Sequence, residues 1–423
     1  MHPWRAALAC LALTAACSNA RPPQAADKAA PPAPPSGRST CDPDNGGLRL
    51  PTGFCAQVVA DNVGRARHLV VADDGTIYVN TLDRGVVLLR DTTGDGRADV
   101  VQPLGTPPGT GVALRDGWLY YASEDAVYRR RPPDGTPEAV VLGLPAERSH
   151  RAKSIALGPD GALYVNIGAP SNACQPRDRA RGLPGLDPCP ELATRAGVWR
   201  FAADRPRQRQ ADGERWVTGL RNAVALAVRP QDGRLYAVQH GRDQLDLFPP
   251  FTAQDNAERP AEEFLRLDRG ADFGWPYCYY DLQTRAKVLA PEYGGDGRTI
   301  GRCAQAAPTL LALPAHWAPN ALLFYRGTQF PARYRGGAFV AFHGSWNRAP
   351  LPQGGYNVVF IPFQGDQPTG GWEVFADGFA GPNPQPSTAH HRPSGLAEGP
   401  DGSLYIGDSV RGTIWRVRYV GRG

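Results

Sequence analysis

Along most of the chain, apolar and polar residues alternate over short runs, the period of half-buried strands rather than of helices. One phrase recurs: an apolar stretch, a turn carrying Asp-Gly, then an alternating run with a tyrosine. It reads HLVVADDGTIYVNT at 68–81, GVALRDGWLYYAS at 111–123, SIALGPDGALYVNIG at 154–168, AVALAVRPQDGRLYAVQHG at 223–241 and SGLAEGPDGSLYIGDS at 394–409. Each copy predicts two antiparallel strands joined by a tight turn whose glycine supplies the positive φ the turn needs. Further strand-like runs follow most copies, as GVVLLRD, AVYRRRP, GVWRFAA and GTIWRVR. The turn glycines 75, 117 and 161 stand 42 and 44 residues apart, one four-stranded blade per interval. Between Gly233 and Gly402 there is room for one divergent blade and insertions, and GGAFVAFHGSWNRAPLPQGGYNVVFIPF at 336–363 supplies that blade. The expectation is an all-β, six-bladed β-propeller of four-stranded blades with long loop insertions, five or seven blades being the alternatives. Such a ring closes on itself, and its loops converge on one end of a central channel.

Composition narrows the picture. Of 423 residues, 49 are Gly and 42 Pro, enough for a turn-rich fold and too few for a collagen-like or low-complexity chain. The formal net charge of +5 is not gathered into a basic stripe, which argues against nucleic acid as a partner. The cations are nearly all arginine, with lysine only at 28, 153 and 287. Residues 1–17, MHPWRAALACLALTAAC, set Arg5 ahead of an apolar run too short for a permanent membrane span, in the manner of a secretory signal. Its ending, Leu13-Thr14-Ala15-Ala16-Cys17, resembles a bacterial lipobox, whose cysteine is acylated and becomes the first mature residue; ordinary secretion is the alternative. Residues 18–40 are Ala/Pro-rich and read as an extended tether, leaving 41–423 as the propeller domain of a periplasmic or cell-envelope protein. Six cysteines follow Cys17, at 41, 55, 174, 189, 278 and 303, without CxxC spacing. Among the 15 connectivities open to six cysteines, pairing of sequence neighbours is the simplest.

Chemistry-bearing residues gather in the connections. GRDQLDLFPPFTAQDNAERPAEEFLRLDRGADFGWPYCYYD at 241–281 joins acids, amides and aromatics in one insertion. Taken with SHRAKSIALGPDGALYVNIGAPSNAC (149–174), GLRN (219–222), PAHWAPNALLFYRGTQFPARYRGGAFVAFHGSWNRAP (314–350) and RPSGLAEGPDGSLYIGDS (392–409), it closely resembles the sorbosone dehydrogenase group of soluble quinoproteins. That group is similar to the secreted glucose and aldose dehydrogenases that use pyrroloquinoline quinone (PQQ). The resemblance runs from about residue 45 to the end, and 240–281 and 314–350 are its specific parts, since blade phrases occur in all propellers. It implies PQQ and a calcium ion at the mouth of the channel and oxidation of a sugar hydroxyl or aldehyde.

A cofactor with three carboxylates and a quinone needs cations in fixed geometry, preferably arginines, together with a base that works near neutral pH. By the resemblance His150 is that catalytic base; a loop histidine is otherwise an ordinary solvated residue. The glucose-oxidising relatives place an acid before this histidine, whereas here Ser149 precedes it and Glu147 lies three residues back. Arg221 and Asn222 in GLRN match the pair set beside quinone and substrate, with Arg221 stabilising negative charge; the bland reading is a loop salt bridge and a turn amide. Lys153 stands where related sequences carry a cation. Arg392 matches the first of two arginines near the last blade, and the second position reads Ser394. A lysine of some relatives falls near Asn347, beside Arg348, so His343, Trp346, Asn347 and Arg348 are further cofactor candidates, Trp346 by stacking unless it packs in the core.

For calcium the resemblance implies the backbone carbonyls of Gly241 and Arg242. A separate candidate is Asp91, Thr93, Asp95 and Asp99 in DTTGDGRAD, oxygen ligands at near-alternate positions around Gly96, with a polar hairpin as the alternative. The leading expectation is an exported PQQ-dependent dehydrogenase passing electrons to a separate periplasmic quinone or cytochrome, because no CxxCH haem motif is present. The alternatives are a non-catalytic carbohydrate- or protein-binding propeller at the cell surface and a calcium-dependent lactonase.

Overall fold

Six four-stranded antiparallel sheets make up the ring. The computed structural model describes Met1 and residues 41–146 and 149–421. The expected signal segment with Cys17, the tether over 18–40 and Glu147 therefore fall outside the described residues, Met1 excepted. The first blade is Ala66–Val71, Ile77–Thr81, Gly85–Arg90 and Val100–Pro103; the second is Val112–Arg115, Trp118–Ala122, Val127–Arg130 and Glu138–Val141. The third is Ile155–Leu157, Ala162–Ile167, Gly197–Ala202 and Glu214–Thr218, and the fourth is Ala225–Val228, Leu235–Gln239, Glu262–Arg266 and Leu311–Leu313. The divergent fifth blade is Pro319–Phe324, Ala338–Phe342, Asn357–Ile361 and Glu373–Ala376, with its two middle strands where 336–363 placed them.

The sixth blade closes the ring. Pro393–Glu398, Leu404–Asp408 and Ile414–Tyr419 come from the C-terminal end, and Phe54–Ala60 completes the sheet by pairing with Ile414–Tyr419. This removes the exposed edge that a final blade of three strands would leave. An aromatic cluster secures the closure: the Phe54 ring lies 4.8 Å from Phe330 and 5.0 Å from Phe375. All five Asp-Gly turn glycines have φ between 71° and 84°. At the tightest turn Asp116 is left-handed as well, at φ 50°, the two-residue geometry that matches strand twist.

All three neighbour pairings of cysteines form disulfides, Cys41–Cys55, Cys174–Cys189 and Cys278–Cys303. The second lies in the connection between the middle strands of the third blade, and the third joins the hairpin Cys278–Asp281/Ala286–Leu289 of the fourth-blade insertion to a following turn. Among the described residues the one α-helix is Ala253–Glu258, which Thr252 caps by accepting from the Asp255 N–H at 3.1 Å. In each blade the inner strand starts, and the second strand ends, at the same end of the ring, so these positions frame the channel mouth. Asn166, at the end of one second strand, bonds to Asn222 of the next blade at 3.2 Å, tying neighbouring blades together at that mouth.

Candidate active site

A cavity of about 290 Å³ opens at the channel mouth, walled by five blades. Its chemistry-bearing lining comprises Arg67, Thr110, Ser123, Glu124, His150, Arg151, Lys153, Asn222, His240, Asn320 and His343. Strand register explains part of this placement. The inner strands of the first, fifth and sixth blades slip register between Ala66 and Leu69, Pro319 and Ala321, and Pro393 and Gly395. Such bulges bend a strand and re-aim its side chains, and the first two set Arg67 and Asn320 into the cavity wall.

His150 has left-handed backbone, φ 49°, which a non-glycine residue holds only when its surroundings enforce it. Its Nδ1 lies 2.7 Å from the carbonyl oxygen of Ala169. A carbonyl only accepts, so Nδ1–H donates and Nε2 carries the free lone pair. Burial lowers the imidazole pKa to about 3, the nearby Arg221 charge adds to this, and the Ala169 contact opposes it. His150 is therefore a neutral imidazole with a fixed tautomer, oriented by a backbone carbonyl.

Lys153 is 1% exposed, and its ammonium donates to the Arg151 carbonyl at 2.9 Å. Burial lowers its pKa to about 8 against the opposing pull of Glu124 and Asp125. His240 is also held neutral, its pKa lowered to about 4 by burial, with Nε2 donating to the Pro319 carbonyl at 2.8 Å. His343 is pushed well below its ordinary value by burial and then by Arg392 and Arg67, and its Nε2 lies 2.7 Å from Ser409 Oγ. Glu124, the one carboxylate of the lining, pairs with Arg151 at 2.9 Å. The wall therefore carries a net positive charge from Arg67 and Lys153.

The structure gathers His150, Lys153, Asn222 and His343 from the sequence candidates and places the others behind or away from the wall. Arg221 is buried, donating to the Gly241 carbonyl at 2.9 Å and to Asp243 Oδ2 at 2.7 Å. Asn347 donates to Asp243 Oδ1 at 3.0 Å. Arg348 donates to the carbonyls of Pro352 and Ala257, and Arg392 to those of His343 and Gly344. Trp346 is 53% exposed, neither in the core nor among the lining residues. Asp243, not singled out in the sequence, is the centre of this support: it also accepts from Arg179 at 2.8 Å and lies 3.6 Å from His316. Burial alone would raise its pKa, but Arg221, His316 and Arg179 hold it well below the usual carboxylate value. The adjacent GRD triplet was its only sequence signal, because a loop aspartate ordinarily faces water.

Of the calcium candidates, Gly241 has its carbonyl engaged by Arg221, and the Arg242 side chain is paired with the buried Glu292. In the hairpin after the third strand of the first blade, Asp91 accepts from the backbone N–H of Thr93, Gly94 and Gly96. Asp95 accepts from the Arg97 N–H, and Asp99 accepts from both the N–H and the hydroxyl of Thr92. These carboxylates close their own turn. Among the described residues the one cluster of three possible metal ligands contains Cys174 and Cys189, whose sulfurs are already bonded to each other, with Glu191.

The family model described as TrAA12-like matches residues 48–420. The chain belongs to the TrAA12-like family. A pyrroloquinoline quinone-dependent pyranose dehydrogenase of Coprinopsis cinerea is 31% identical over 162 residues, a match spanning 34% of this TrAA12-like chain and 21% of that enzyme. The holo form of that enzyme's PQQ domain superposes with a TM-score of 0.71 at 19% identity, covering 88% of this chain and 97% of the domain. The calcium structure of a Trichoderma reesei Carbohydrate-Active Enzymes Family AA12 protein gives 0.73 at 19% identity, covering 88% and 97%. At such identity these superpositions establish the shared fold, and the TrAA12-like cavity has to be read from its own residues.

Proposed function

We propose that this protein is an exported quinoprotein oxidoreductase that oxidises a sugar or sugar-derived aldehyde, aldose or sorbosone-like, with PQQ as its bound oxidant. The observation that carries this reading is His150, a neutral imidazole with its Nε2 lone pair free, in the same cavity wall as the buried ammonium of Lys153. The donor set fits a flat polycarboxylate: Lys153 and Arg67 supply positive charge, Asn222 a polar contact, and the neutral histidines avoid repelling those cations. When bound, PQQ supplies an electrophilic quinone that accepts a hydride. His150 Nε2 takes the substrate hydroxyl proton as the carbon–hydrogen bond breaks, and the Ala169 carbonyl keeps the ring in the tautomer that can do so. Arg221, fixed by Asp243, places a positive charge behind this base and keeps the imidazole neutral and ready to accept a proton.

The Trichoderma relative supports calcium as a companion ion. The Gly241 carbonyl already accepts from the Arg221 guanidinium at 2.9 Å, so an ion there would share that oxygen with a buried cation. A lactonase would need several acids and amides on an ion in the channel, and Glu124 with its Arg151 partner does not provide them. Three disulfides support export to an oxidising compartment, with lipidation at Cys17 and a separate quinone or cytochrome acceptor as parts of the same proposal.

The test is dye reduction by the full chain, with and without PQQ in calcium buffer, across aldoses and sorbosone-like aldehydes. PQQ-dependent turnover on one of these is expected; no PQQ binding and no turnover would move the protein to the carbohydrate- or protein-binding class. Lys153 adds a pH signature. Its positive charge is lost as pH rises through about 8, so PQQ affinity should fall about tenfold between pH 7 and 9. Calorimetric titrations of wild type and Lys153→Met check this, and an equal slope in both would remove Lys153 from the ligand site.

A further inference from the structure

Arg67 differs from the other arginines near the mouth. Arg221 is spent on Gly241 and Asp243, Arg179 on Asp243 and Gln244, and Arg392 on the carbonyls of His343 and Gly344. The Arg67 guanidinium has no hydrogen bond or ion pair with any described residue, and its Nε is buried without a partner. The charges that act on it have its own sign. Burial, then Arg392 and Arg65, lower its pKa to about 10, so it remains a cation at neutral pH. The neighbouring imidazoles give no compensation, because His68, donating from Nε2 to the Asn320 carbonyl at 2.8 Å, is neutral like His343. A half-buried cation whose Nε is buried without a partner is costly to a fold, and here a bulge in the inner strand aims it into the cavity.

The position is informative too. Where the resemblance to sugar dehydrogenases leads one to expect a second arginine, Ser394 instead donates its hydroxyl to the Ala66 carbonyl at 2.7 Å, one residue from Arg67. The missing charge of the sixth blade is thus replaced from the adjoining strand of the first. We propose that Arg67 is the cavity's carboxylate grip, its planar fork taking one carboxylate of a bound ligand with two parallel hydrogen bonds. That carboxylate comes from one of two sources, PQQ itself or the acid group of a uronate-type sugar. The proposal rests on the cavity being the ligand site assigned above.

The experiment uses the full-length protein and Arg67→Gln and Arg67→Lys variants, titrated calorimetrically with PQQ, and with glucuronate and glucose in PQQ-loaded and unloaded protein. Thermal unfolding of the unloaded proteins is measured alongside. Arg67→Gln is expected to weaken the gripped carboxylate ligand about thirtyfold, with Arg67→Lys recovering only part of the loss. A loss confined to PQQ assigns the cofactor as the source; a loss confined to glucuronate assigns an acidic sugar. Without ligand, Arg67→Gln should unfold at a higher temperature than wild type, because an uncompensated cation has been removed. Affinities for PQQ and glucuronate both within threefold of wild type, or a lower unfolding temperature in the unloaded variant, would overturn the proposal. Failure of wild type to bind PQQ would count against the quinoprotein reading alone, and the glucuronate and unfolding arms would still decide on Arg67.

Discussion

Replacing His150 by alanine is expected to lower kcat of the PQQ-loaded protein about a thousandfold while leaving PQQ affinity within about threefold. General-base catalysis by a positioned side chain contributes about 10²–10⁴ in rate, and His150 is the neutral imidazole with a defined free lone pair toward which the reading points. Its pKa adds a second readout. With the folded value near 3, the base is not protonated anywhere between pH 5 and 8. The acid limb of kcat/KM should therefore be flat down to pH 5, where an ordinary solvated histidine would give a break near 6.5. Stopped-flow dye reduction on wild type and His150→Ala across this range measures both, and unchanged turnover in the variant would transfer the base function elsewhere.

Acid should weaken the fold well before it protonates the site. His68 and His240 have pKa values lowered to about 4 and His150 to about 3, while each titrates near 6.5 once unfolded. Below 6.5 the unfolded chain binds protons that the folded one refuses, so stability falls as pH drops from about 6.5 toward 4. Because two of these rings line a cavity that water reaches and His68 is only half-buried, about 1 kcal/mol per histidine between pH 7 and 5 is the reasonable size, roughly 3 kcal/mol together. His343 acts in the same direction. Urea unfolding at pH 7 and pH 5 tests this, and equal stabilities would show that the rings are not held neutral. The structural basis is visible in the bonds: His68, His150 and His240 each have one nitrogen donating to a backbone carbonyl, with no acid paired to stabilise the second proton.

The blades were legible because their information is local. An Asp-Gly turn between alternating runs needs only a few consecutive residues, and the positive φ at Gly75, Gly117, Gly161, Gly233 and Gly402 follows from that chemistry. The closing strand Phe54–Ala60 was not legible, since FCAQVVA carries no turn phrase and pairs with Ile414–Tyr419 at the far end of the chain. The cysteine pairings were legible as the simplest arrangement and form as such. In the site, His150, Lys153 and Asn222 came from matching segments, whereas the group orienting His150 is a backbone carbonyl, which leaves no trace in residue identity. The same limit hid Arg67: a bulge, not a motif, aims it into the cavity. Trp346 shows the converse, since an aromatic in a promising loop does not reveal by its type whether it faces cofactor, core or water.

The most direct measurement is a calorimetric titration of the purified full-length protein with PQQ in calcium buffer at pH 7, repeated with Lys153→Met. Saturation at one PQQ per chain is expected, with affinity reduced in the variant because a buried ammonium of the cavity wall has been removed. No saturable binding by wild type, under conditions in which a known PQQ enzyme reconstitutes, would contradict it.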